Sequence, residues 1–166
     1  MAVHIFAFGS HGTSAWAERS GPGVFDNVGG IPYTDLTGLR RGWGTTYRGK
    51  AGQAVYFHNP VTALESIESE DSTPLLTQFG ARFELMETAR VTSVQVWNGE
   101  KQIQTYDGLN IGPSASAPVI FDRQFAPGLG LPRRGIDVVV GVSFGASSSD
   151  VTFFGAWAHY QVDVLW

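Results

Sequence analysis

The amino-acid sequence predicts an all-β fold, a single-domain antiparallel β-sandwich or jelly roll of about eight to ten strands over residues 1–166. Three observations carry this expectation. Apolar and polar residues alternate with period 2 along most of the chain, as on half-buried strands. The 21 glycines and 8 prolines exceed average usage and interrupt that alternation at short intervals. The pair Asn98-Gly99 stands between two alternating runs, the strongest short-range hairpin signal. No internal repeat of roughly 20 to 50 residues is evident, which speaks against propellers and solenoids.

Taken in order, Met1 to Gly9 lacks a basic leader region and its apolar run is broken by His4, so it reads as a first strand rather than a signal peptide. Short strands are expected at about residues 12–18, 42–49 and 53–59, with a long loop at about 20–42. Trp43, between two glycines, reads as a core ring approached closely by backbone. At Asn59-Pro60 a cap and a first helical position are available, with Val61, Leu64 and Ile67 following. The acids Glu65, Glu68, Glu70 and Asp71 crowd the negative end of any helix there, which leaves a single short turn and a solvated acidic loop. From Phe79 to Leu85 the apolar face is Phe79, Ala81, Phe83 and Leu85. Val91 to Tyr106 is the hairpin, with Asn98-Gly99 at the centre of a type I′ turn, and about 118–125 is a further strand. Ile136 to Phe144 is nearly apolar on both faces and reads as central. The last strand, from Phe154, sets Phe154, Ala156, Ala158, Tyr160 and Val162 against Trp157, His159, Gln161 and Asp163.

Composition excludes several classes of function. Eleven basic and 15 acidic residues give a net charge of −4, without the cationic footprint that nucleic acid or anionic membranes require. The doublets Arg40-Arg41 and Arg133-Arg134 read as turn or edge charges. No run reaches the ~18 apolar residues of a membrane helix. These signals favour a cytoplasmic protein, or one exported by a route that leaves no N-terminal mark. The absence of cysteine excludes disulfides, thiolate metal sites and a cysteine nucleophile. Neither Arg41-Gly42-Trp43-Gly44-Thr45 nor Gly128-Leu129-Gly130 has the context of a phosphate or dinucleotide loop, so no cofactor is expected. Gly141-Val142-Ser143-Phe144-Gly145 matches the nucleophile-elbow pattern, but its serine lies inside a strand and no helix follows. His4, His11, His58 and His159 show no metal-ligand spacing, and the acidic group lacks a calcium-loop pattern.

The hairpin carries the functional signal. With odd residues of one strand opposite even residues of the other, Thr92, Val94, Val96, Ile103 and Thr105 form its apolar face. The other face holds Ser93, Gln95, Trp97, Gln102, Gln104 and Tyr106: two large rings, three amides and no charge. Rings cover the C–H faces of a sugar while amides donate to and accept from its hydroxyls, so this set suits a carbohydrate or another neutral polar ligand. Trp157 and His159, with Gln161, repeat that character on the last strand and join the ligand face if the strands are neighbours. Two other classes stand beside this non-enzymatic binding module. One is a self-assembling sandwich whose aromatic-amide face is the interface of a homo-oligomer. The other is a small pocket enzyme using His58 or His159 as acid or base.

Four stretches, Arg41 to Thr45, Val55 to Pro60, Val91 to Gly99 with Tyr106 to Asn110, and Gly135 to Phe144, resemble an uncharacterised family of small bacterial β-sandwich proteins, a domain of unknown function. The resemblance implies the fold and a bacterial origin, and brings no catalytic or binding residue with it.

Overall fold

Alternating sequence becomes alternating burial. In the strand Ala54–Val61, Val55, Phe57, Asn59 and Val61 are buried while Ala54, Tyr56 and Pro60 are exposed. The computed structural model describes residues 2–19, 21–28, 38–63, 74–115, 118–130 and 135–164. Within these lie β1 (Ala2–His11), a 3-10 turn (Gly12–Ser14), β2 (Trp16–Ala17), β3 (Phe25–Asp26), β4 (Leu39–Arg41), β5 (Gly44–Gly49) and β6 (Ala54–Val61). They continue with β7 (Leu75–Leu85), β8 (Ala89–Asn98), β9 (Lys101–Tyr106), β10 (Val119–Gly130), β11 (Ile136–Phe144) and β12 (Ser149–Val164). The strands form two antiparallel sheets, so the fold is an all-β sandwich. Sheet I runs β10-β7-β12-β5-β3, with β1 also on β12 and β4 also on β5. Sheet II runs β2-β6-β11-β8-β9.

The core is where the inner faces meet. Val94, Val96, Val138, Val140 and Phe57 from sheet II pack in one cluster with Phe79, Phe83, Phe153 and Tyr160 from sheet I. The Phe57 ring lies 4.8 Å from Tyr47 and 5.0 Å from Phe153, bridging the sheets. Each such buried ring contributes roughly 1.5–3 kcal/mol. As expected, β11 is central in sheet II, flanked by β6 and β8.

Several expectations are corrected. Twelve strands are described rather than eight to ten, because three strands of two or three residues each occur within residues 16–41. Two of these, β3 and β4, fall in the expected loop at 20–42, of which residues 20 and 29–37 lie outside the described set. Asn59 and Pro60 belong to β6, not to a turn. The Asn59 amide donates to the carbonyls of Phe57 and Val138 and so serves the sheet rather than a cap. The acidic group at 65–71 lies outside the described residues. Trp43 is 49% exposed, stacked on Phe154 at 5.5 Å rather than set in the core.

Two bulges reverse faces that strict alternation predicts. On β12 the pairing steps from Phe153↔Phe83 to Gly155↔Arg82, so Phe153 points inward and Phe154 outward. Gly155 has φ 151°, and a Cβ there would lie 2.4 Å from the Ser10 carbonyl oxygen, so only glycine fits. In the hairpin, Asn98 pairs with Lys101, which leaves Gly99-Glu100 as the loop. Only Gly99 has positive φ, as in a II′ turn rather than the expected I′. The register then steps from Trp97↔Gln102 to Val96↔Gln104, leaving Ile103 as the extra residue.

Candidate functional site

The outward residues of sheet II form a groove whose rows follow from strand register. One row crosses Trp16, His58, Val139, Gln95 and Thr105. A second places Tyr56, Gly141 and Ser93 side by side, and a third Pro60, Asp137, Trp97 and Gln102. Five strands at ~4.8 Å spacing span about 19 Å from β2 to β9. A pocket of about 270 Å³ opens on this face, lined by Glu18, Tyr56, His58, Gln95, Trp97, Gln102 and Val139.

Three rings stand on this face, Tyr56 and Trp97 in the pocket lining and Trp16 beside it on His58. Trp16 is 40% exposed and stacks on His58 with centroids 4.2 Å apart and planes 13° from parallel. Tyr56, 41% exposed, lies over Gly141, where a Cβ would come within 3.0 Å of the ring. Glycine at that point of β11 lets the ring rest against the sheet. Trp97 donates its indole N–H to Gln95 Oε1 at 2.9 Å. An indole N–H can only donate, so the amide orientation of Gln95 is fixed and its NH₂ is left for another acceptor.

The polar atoms are equally ordered. His58 Nδ1 donates to Asp137 Oδ2 at 2.5 Å, and the other Asp137 oxygen accepts the Asn59 backbone N–H at 2.9 Å. This holds one imidazole tautomer and leaves Nε2 as an acceptor when the ring is neutral. With the amide of Gln102, the Tyr56 hydroxyl and the Glu18 carboxylate, the lining offers both donors and acceptors, and no lysine or arginine is among its residues. Among the described residues, no three His, Asp or Glu converge as metal ligands, and no helix is long and apolar enough to cross a membrane.

The structure therefore brings together Trp97, Gln95, Gln102 and Ser93 from the expected ligand face, and separates Gln104, Tyr106, Trp157 and His159 from them. The bulge at Ile103 puts Gln104 opposite Val96 and Tyr106 opposite Val94, on the inward side. Tyr106 packs there against Phe79 and Phe121, with centroids 5.9 and 5.7 Å away. Trp157 and His159 lie on β12 in sheet I, on the opposite outer face of the sandwich. Their strand and the hairpin are not neighbours. Sequence reading missed Trp16, Tyr56 and Asp137 and gave His58 only an acid or base role. The alternation of Tyr56, His58 and Pro60 against Val55, Phe57 and Asn59 was the available signal. What it lacked was the neighbour relation of β6 to β8 through β11.

No family model matches the chain, and no curated protein matches it. Among solved structures, the chain aligns with the xylan-binding module CBM15 over 95% of its own length and 95% of that chain, at 11% identity and a TM-score of 0.49. It aligns with TmCBM61, solved with beta-1,4-galactotriose, over 93% and 86%, at 6% identity and a TM-score of 0.43. A third is CBM29_1, a family 29 carbohydrate-binding module from Piromyces equi, over 95% and 91%, at 15% identity and a TM-score of 0.38. At these values no residue role passes from them to this chain. The functional case rests on the chemistry of the groove.

Proposed function

We propose that residues 1–166 form one non-enzymatic binding module, which takes a neutral carbohydrate in the groove of sheet II. The observation that carries this reading is the meeting of three partly exposed rings, Trp16, Tyr56 and Trp97, with two amides and a tautomer-fixed imidazole on one face that has no cation in its pocket lining. Rings cover C–H faces, while Gln95, Gln102 and His58 Nε2 meet hydroxyls. Tyr106 supports the groove from behind, packed on Phe79 and Phe121. Such contacts are weak singly, and several linked copies would raise the apparent affinity.

The test is a glycan-array screen of the wild type beside Trp97→Ala and Tyr56→Ala, each first shown to be folded by circular dichroism. Neutral glycans should bind the wild type, and each substitution should weaken them about tenfold, since a stacked ring contributes on the order of 1 kcal/mol beyond its buried area. A silent wild type with working array controls would overturn the proposal. Release of reducing ends from the bound glycan, lost in His58→Ala, would transfer the groove to the pocket-enzyme reading.

A further inference from the structure

We propose that the outer face of sheet I holds a second, separate site, built on Arg41, Trp43, Phe154 and Arg82, that binds a carboxylate-bearing saccharide. The β4–β5 turn carries Trp43 onto Phe154, the ring that the β12 bulge turns outward, with centroids 5.5 Å apart and planes 23° from parallel. The Arg41 guanidinium lies 5.7 Å from the centre of the Trp43 ring, and that of Arg82 lies 5.3 Å from the centre of Phe154. Two cations thus share one aromatic pair, and its indole stays 49% exposed.

Neither the Arg41 nor the Arg82 guanidinium group meets a carboxylate of a described residue, although Glu84 follows Arg82 by two residues on the same strand face. Sheet I does pair arginines where it needs to: Arg48 meets Asp150 at 2.9 Å. A guanidinium held over a ring keeps its N–H fork in its own plane, preset for a bidentate carboxylate. The exposed indole beside it offers a surface for the C–H face of the sugar that bears the carboxylate.

The platform continues along β12. Trp157 lies against Gly80, where a Cβ would come within 2.3 Å of the indole. Beyond it, His159 Nδ1 donates to Gln78 Oε1 at 3.0 Å and Gln78 Nε2 donates to Asp122 Oδ2 at 2.6 Å, so the far end ends in an acid. An anionic group is thereby directed to the arginine end. Two cations on a chain of net charge −4 suit a short acidic saccharide rather than a nucleic-acid strand, whose every residue adds a phosphate. The sheet II groove, with Glu18 in its lining and Asp137 behind His58, repels the same carboxylate.

The experiment is calorimetric titration with trigalacturonate, with its neutral methyl ester and with oligothymidylate, on the wild type, Arg82→Gln, Arg41→Gln, Trp43→Phe and Trp97→Ala. NMR of the indole N–H groups reports the face that responds. Trigalacturonate should bind the wild type about tenfold or more tightly than the ester does, and each arginine substitution should cost about that factor. Trp97→Ala should leave this binding unchanged whether or not its own groove binds neutral glycans, which separates the two proposals. Trp43→Phe keeps a ring on Phe154 and should retain the preference for acid over ester. Equal binding of acid and ester, tighter binding of oligothymidylate, no binding of trigalacturonate, or loss in Trp97→Ala but not in the arginine variants would each overturn it.

Discussion

At the scale of single residues, the polar atoms of the sheet II groove are fixed by partners that are not ligands. Trp97 sets the amide of Gln95, and Asp137 sets the ring of His58, so under the proposed function these side chains would meet a ligand already oriented. Tyr160 is the opposite case. It is fully buried, its ring meets Phe8 edge-on at 5.8 Å, and its hydroxyl has no hydrogen-bond partner among the described residues. Burial pushes its pKa up from 10.0 to about 12. Between those values the unfolded chain gives up the proton while the native one keeps it, so stability is intact below about pH 10 and falls as pH rises towards 12. Tyr160→Phe keeps the ring and removes the orphaned hydroxyl, so it should be neutral or about 1 kcal/mol stabilising near neutral pH. Urea unfolding at about pH 9 and about pH 11 should show the wild type losing on the order of 1 kcal/mol more than the variant. Equal losses would mean that the phenol has found a partner or reaches solvent.

At the scale of elements, a glycine in the middle of a strand provides the space a neighbouring ring needs. Gly141 lies on β11 between Tyr56 and Ser93, and a Cβ would meet the Ser93 hydroxyl at 2.4 Å and the Tyr56 ring at 3.0 Å. Gly141→Ala should therefore cost about 1–3 kcal/mol in urea unfolding and weaken glycan binding by tilting Tyr56. Unchanged stability and binding would show that the ring does not rest there. The alternation that placed β7, β8 and β11 was legible in the sequence because burial on one face is a local property of each strand. The bulges were not legible. Whether Ile103 or Phe154 is the extra residue depends on what the partner strand offers, and pairing is a long-range property. Hence Trp97, Gln95 and Gln102 were found on the groove face, while Tyr106 and Gln104 were assigned to it one residue past the point where the register slips. Trp16 and Tyr56 escaped notice for a related reason: β2 and β6 reach β8 only through the sheet order.

For the whole molecule, the last strand organises sheet I. β12 pairs with β7 along one edge and with β5 and then β1 along the other, so Ala2 meets Val164 and the two ends of the described chain lie side by side. Its inward residues Phe153, Ala156, Ala158 and Tyr160 are all buried in the shared core, against which sheet II also packs. Neither the groove of sheet II nor the arginine-aromatic site of sheet I has a firm backing until this strand docks. Closing a loop that spans nearly the whole chain costs entropy before any contact offsets it, and topologies of this kind fold in milliseconds to seconds. A chain shortened to end at Ser148 should thus lack the native near-UV circular dichroism, and the full chain should refold on that slow scale in stopped-flow tryptophan fluorescence. Because sheet II supplies the groove yet contributes no residue to β12, the shortened chain also asks whether the groove exists alone. Neutral-glycan binding by that chain at wild-type strength would show that β2, β6, β11, β8 and β9 hold their register without β12. Loss of both the spectrum and the binding is the outcome expected of two sheets that share one core.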